Sequence, residues 1–164
     1  MKKVYKFKFS PLIYILSVII NILFLSVIVI DALKIAGVGN FNTAYLGLDV
    51  GAIMISIIMM VIVGIFIFGS SYTLTDEYLR YNLGFFAYKI EYKNIFLIRE
   101  EKSTHTLVLN YQLIKKDKDG NETSGITGLV ININDKKKDA FVEDIRSKNS
   151  RVLYEVIDKN LGDN

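Results

Sequence analysis

Two hydropathy patterns divide the chain, and the change between them falls within FIFGSSYTL at residues 66–74. Before it lie two unbroken apolar runs. PLIYILSVIINILFLSVIVI occupies 11–30, and VGAIMISIIMMVIVGIFIF occupies 50–68. Each matches the roughly 20 residues a helix needs to cross a ~30 Å hydrocarbon core. Ser10 followed by Pro11 predicts an N-cap and a first helical position. A cleaved signal peptide is disfavoured, because its apolar region is usually only about 7–15 residues long. A second full-length run also follows closely. The pattern predicts a transmembrane hairpin preceded by a basic flank, over residues 1–69.

From Ser70 onward the period is two. Tyr72 and Leu74 begin it; Leu79, Tyr81 and Leu83 continue it; Gly84 turns the chain into Phe86, Tyr88, Ile90 and Tyr92. A short apolar piece at 95–98 leads to Leu107, Leu109, Tyr111 and Leu113. A turn at 117–121 then precedes Leu129, Ile131 and Ile133. Such alternation reads as half-buried strands, and the Asp119-Gly120 pair is a hairpin signal. Phe141, Val142 and Ile145 have helical spacing behind Asn134 or Asp135 as N-cap. Ser150 opens a second stretch with Val152, Leu153, Val156 and Ile157 in a helix-compatible pattern. The expectation for 70–164 is a curled antiparallel sheet or partial barrel of about six strands, capped by a C-terminal helix.

Charge refines this picture. The net charge of +3 arises entirely in the first 69 residues, where Lys2, Lys3, Lys6, Lys8 and Lys34 stand against Asp31 and Asp49. The remainder carries fifteen basic and fifteen acidic residues, a poor match for a polyphosphate, so nucleic acid is not expected as a partner. Lys/Arg excess marks the cytoplasmic side of a membrane protein. Both termini are therefore expected in the cytoplasm, with a short outer loop at 31–49. Lys2, Lys3, Lys6 and Lys8 are candidate membrane-surface contacts at about 1 kcal/mol each, although a topogenic flank with interfacial aromatics is the simpler reading. Asn21, one turn from Ser17, and the stripe Ala52, Ser56 and Gly64 are candidates for intramembrane packing. The lipid bilayer is the first expected partner, and another membrane protein or a peptide the second.

Three stretches carry a resemblance. They are Tyr72-x-Leu74-Thr75-Asp76-Glu77-x-Leu79, then Ile90-Glu91-Tyr92-Lys93-Asn94-Ile95, then Asp135 to Val142 behind a strand. Together they resemble bacterial pleckstrin-homology-like (PH-like) domains, most closely small two-span membrane proteins of the YyaB-like type. Asn134-Asp135 stand where that family often has Ser-Pro, and Asn134 keeps the helix start. The resemblance implies a small cytoplasmic binding module. Some two-span members of such families contribute to self-protection against membrane-active bacteriocins.

Catalytic chemistry finds little support. His105 is the only histidine and cysteine is absent, which excludes His/Cys zinc sites and Cys-His or HExxH chemistry. Gly37-Val38-Gly39 lacks the rest of a dinucleotide fingerprint, and no Walker loop occurs. The acidic pairs Asp76-Glu77, Glu100-Glu101 and Asp117/Asp119 read as solvated. So do the basic groups Lys115, Lys116 and Lys118, and Lys136 to Lys138. No catalytic, cofactor-binding or metal-ligating residue is assigned, and no cofactor is expected. The expected function is a non-enzymatic, membrane-anchored binding protein, with bacteriocin immunity as its specific form. The alternative is a structural or regulatory subunit of a membrane complex.

Overall fold

The computed structural model describes residues 2–38, 44–104, 106–116 and 122–158. Among them the elements begin with β1 (Lys3–Lys6), α1 (Pro11–Ala36) and α2 (Leu46–Gly69). Next come β2 (Ser71–Leu74), β3 (Tyr78–Leu83), β4 (Phe86–Glu91), β5 (Ile95–Glu101), β6 (Thr106–Lys116) and β7 (Glu122–Ile131). Helix α3 (Lys138–Lys148) and strand β8 (Leu153–Ile157) complete the order, which makes the fold α+β. The chain divides into two compact units. A helical unit comprises Phe9–Ser70 with the hairpin tip Leu83–Phe85; a β unit comprises Met1–Lys8, Ser71–Asn82 and Phe86–Asn164.

In the helical unit, Ser10 is extended and Pro11 supplies the first helical residue. Pro suits that position because its missing N–H would have no partner there. The Ser10 carbonyl accepts from the N–H groups of Ile13 and Tyr14. Gly37 ends α1 with φ 65°, a left-handed conformation that glycine adopts without a Cβ penalty. Both helices run beyond the predicted apolar stretches and take in the polar residues at their loop ends. They are long and apolar enough to cross a membrane.

The β unit contains two four-stranded sheets, ordered β1-β2-β3-β4 and β7-β6-β5-β8. Alternation sets the inward side: Tyr72, Leu79, Ile98, Leu107, Leu109 and Ile131 are buried in one core. Helix α3 contributes Phe141, Val142 and Ile145 to it, and the Asn134 side chain accepts from the N–H of Lys136 at the helical start. The two sheets meet where Tyr72 Oη donates to the Val130 carbonyl at 3.2 Å and accepts from Asn132 N–H at 3.1 Å. Beside them, Lys8 N–H donates to the Asn132 carbonyl at 2.7 Å. Burial raises the pKa of Tyr72, so its hydroxyl stays a neutral donor.

Three expectations need correction. Among the described residues there are eight strands rather than about six, in two four-stranded sheets. The first additional strand is β1. The basic flank pairs antiparallel with β2, with Tyr5 opposite Tyr72, and so belongs to the β unit. The second is β8. The stretch after Ser150 is extended, and it runs parallel to β5 with Leu97 opposite Leu153. Its apolar spacing suits a helix, but its β-branched and aromatic residues meet the open backbone edge of β5, and that partner decides. Asn149 stops α3 in an extended conformation, and its amide donates to the carbonyls of Tyr92 at 2.7 Å and Ile95 at 3.1 Å. The predicted turn at 117–121 lies outside the described residues, though β6 and β7 flank it in antiparallel register.

Candidate membrane-contact site

Polar side chains along α1 are mostly satisfied within their own helix. Ser17 Oγ donates to the Ile13 carbonyl at 2.7 Å, Asn21 Nδ2 to the Ser17 carbonyl at 2.7 Å, and Ser26 Oγ to the Ile22 carbonyl at 2.9 Å. In hydrocarbon an unsatisfied polar group costs several kcal/mol, so such back-bonds permit serine and asparagine inside a span. Of the predicted packing residues, Asn21 is half-buried and Ser56 is buried. Gly64 faces open space, where a Cβ would meet nothing within 4 Å.

The loop end of the helix pair holds a charged cluster drawn from both helices. Lys34 Nζ donates to Asp31 Oδ1 on its own helix at 2.6 Å and reaches Asp49 Oδ1 on α2 at 3.5 Å. Asp31 is buried, and a buried charge persists only when paired. The i,i+3 spacing of Asp31 and Lys34 was a local signal. Their meeting with Asp49 depends on how α1 and α2 pair.

The opposite end is aromatic. Phe9 lies 5.5 Å from Phe66 and 6.1 Å from Tyr14, centroid to centroid. Ser70, buried after the last turn of α2, donates its hydroxyl to the Phe66 carbonyl at 2.6 Å and accepts from Gly84 N–H at 3.0 Å. Gly84, at φ 58°, comes so close to Phe66 that an added Cβ would stand 3.1 Å from its ring. Asp49 and Phe66 are separated by about 26 Å along α2 at ~1.5 Å per residue. The charged and aromatic ends thus bracket a band close to the ~30 Å of a hydrocarbon core.

The candidate surface lysines belong to the β unit. Lys3 Nζ bonds Asp144 Oδ1 at 2.5 Å, while Tyr5 Oη donates to Asp144 Oδ2 at 2.6 Å. Burial works against ionisation of Asp144, but the bonds from Lys3 and Tyr5 outweigh it and hold the carboxyl below its usual range. Lys8 pairs with Asp135 at 2.8 Å, and Asp135 also pairs with the buried Lys138 at 2.7 Å. Lys2 and Lys6 are exposed. β-Strand pairing had no signature in KKVYKFKF beyond the alternation of Val4 against Tyr5 and Phe7.

The remaining candidates are dispersed. Asp76 pairs with Lys148 at 2.5 Å, and that bond holds its carboxyl down at about 2. Glu100 accepts from Tyr154 Oη, whose pKa is pushed up to about 12, chiefly by burial. His105 and the Asp117/Asp119 turn lie outside the described residues. Among the described residues no group of three His, Asp or Glu side chains is placed to hold a metal. A surface cavity of about 480 Å³ is lined by Lys89, Glu91, Lys93, Asn94 and Gln112, among others. A second, of about 400 Å³, is lined by Lys93, Phe96, Lys148 and Arg151 among others. Both have mixed polar and apolar walls. Comparisons with protein-family models, curated proteins and solved structures find no match to this chain.

Proposed function

We propose that the chain is a non-enzymatic, membrane-anchored binding protein. Its helix pair crosses the cell membrane with both termini cytoplasmic, and its β unit serves as a PH-like module for a peptide, lipid or protein. One observation carries this reading. The most apolar stretch of α1 is 0% buried and that of α2 is 6% buried, and most of their apolar side chains are exposed. Outward apolar surface on this scale is stable in lipid and costly in water.

Protection against membrane-active bacteriocins is the specific form of this function. The decisive experiment expresses the full chain at graded levels in a sensitive Gram-positive host and challenges it with a panel of such peptides. Protection that rises with expression, and that survives alanine at Asp76 or His105, supports stoichiometric binding. Loss of protection on replacing His105 alone, with the fold intact, would restore an enzymatic reading.

The second reading is a subunit of a membrane complex. The open space at Gly64 favours it, since a small residue left uncovered in its own hairpin permits a further helix to approach closely. No protection against any peptide, together with a discrete partner cross-linked through position 64, would put this reading first.

A further inference from the structure

We infer that the tip of the β3–β4 hairpin is a third membrane contact, in which Phe85 and Phe68 enter the boundary between lipid headgroups and acyl chains. The inference rests on the proposal that α1 and α2 cross a bilayer. Two-residue hairpin tips ordinarily carry Gly, Asn, Asp or Ser, which suit both the backbone and water. Here the tip reads Leu83-Gly84-Phe85-Phe86. Gly84 meets the backbone requirement with φ 58°. Phe85 meets no requirement of the turn, yet it is 61% exposed.

Position supplies the reason. The Gly84 N–H donates to Ser70 Oγ, which is itself bonded to the Phe66 carbonyl, so the tip is tied to the last turn of α2. The absence of a side chain at Gly84 lets its backbone lie against the Phe66 ring. On that same turn Phe68 is 76% exposed. Phe68 thus exposes an apolar ring on the last turn of α2, and Phe85 exposes one on the hairpin tip tied to that turn. They lie at the end of the helix pair opposite the Asp31–Lys34–Asp49 cluster, about a hydrocarbon thickness away. Aromatic rings beside the acyl boundary are a recurrent means of seating a protein on lipid. Because the tip is fastened to the end of a helix whose apolar stretch is exposed and long enough to span, the occupant we infer is the bilayer rather than a second protein.

The chain contains no tryptophan, so single Phe85→Trp, Phe68→Trp, Leu23→Trp and Ile126→Trp variants each report one position. Leu23 lies midway along α1 and Ile126 on β7 of the other unit, and both are exposed. Full-length variants are reconstituted in phosphatidylcholine vesicles whose acyl chains are brominated either near the headgroup or near the chain end. Tryptophan at 85 and at 68 should be blue-shifted and should lose most intensity with bromine near the headgroup. Tryptophan at 23 should lose most with bromine near the chain end, and tryptophan at 126 should resemble a solvated residue. If positions 85 and 68 behave like 126 while 23 is quenched, the tip contact is wrong and the spanning helices stand. If 23 is also unquenched, the membrane reading fails and the tip contact with it. Blue-shifted but unquenched emission at 85 would assign the tip to a protein surface and overturn the inference.

Discussion

Tyr5 gives its hydroxyl hydrogen bond to Asp144, a residue 139 positions away, at 2.6 Å. The bond ties an N-terminal strand to the face of α3, and Lys3 approaches the other carboxylate oxygen. A hydrogen bond to a charged group contributes about 1.5–3 kcal/mol. Tyr5→Phe in the full chain should therefore lower unfolding stability by about 1.5 kcal/mol, seen as an earlier denaturation midpoint in mild detergent. A midpoint equal to that of the unsubstituted protein would separate β1 from the stability of the β unit.

Acid should loosen the same contacts. Asp144, Asp135 and Asp76 all have folded pKa values below the ordinary ~3.9, the first despite its burial and the other two chiefly through bonds from Lys138 and Lys148 respectively. A depressed carboxyl pKa contributes stability that is complete above the unfolded value and is lost as pH falls through the folded one. The melting temperature should hold above about pH 5 and drop towards pH 2, because the unfolded carboxyls take up protons near the ordinary value while folded Asp76 does so only near 2. Asp144→Asn should lower it at neutral pH and flatten its decline in acid. An equal decline in both proteins would exclude Asp144 as a contributor.

Helix α3 should be essential to the core. Phe141 and Ile145 are fully buried, and Tyr5 meets Phe141 edge-on at 5.1 Å. Phe141→Ala should cost on the order of 3–5 kcal/mol, much of the ~5–15 kcal/mol that a domain of this size has available. Leu153→Ala on the exposed face of β8 should stay within about 0.5 kcal/mol. Urea melts of the two full-length variants in detergent provide the comparison.

Gly84 should tolerate no side chain. Its left-handed φ alone costs an L-residue roughly 1–2 kcal/mol, and the Phe66 ring would crowd the new methyl group. Gly84→Ala should accordingly shift the thermal midpoint downward. Gly125→Ala, where a Cβ meets nothing within 4 Å, should leave it almost unchanged. Equal effects would show that neither backbone conformation nor Phe66 restricts the tip.

Orientation is accessible through the missing cysteines. Single cysteines introduced at Gly39 and Gly120 have no native background. In intact cells a membrane-impermeant thiol reagent should modify position 39 and spare position 120, as the lysine distribution requires. Modification of 120 would reverse the assigned sides.

Features that depend on near neighbours are legible in the sequence. Twenty uncharged residues make a helix of spanning length whatever surrounds them, and the period-two alternation marks Tyr72, Leu79, Ile90, Leu107, Leu109 and Ile131 as inward, although Phe86 and Tyr88 of the same pattern are exposed. The buried Phe141 and Ile145 and the Asn134 cap follow from helical spacing of the same local kind. Tertiary structure alone decided the fate of the two ends of the chain. KKVYKFKF reads as a membrane flank, and the open edge of β2 made it β1; Val152 to Ile157 has helix-compatible spacing, and the edge of β5 made it β8. The same holds for Lys34 meeting Asp49 and for Gly84 lying on Phe66. In each case the backbone edge or the partner charge lies far off in sequence, so only the folded chain brings the two together.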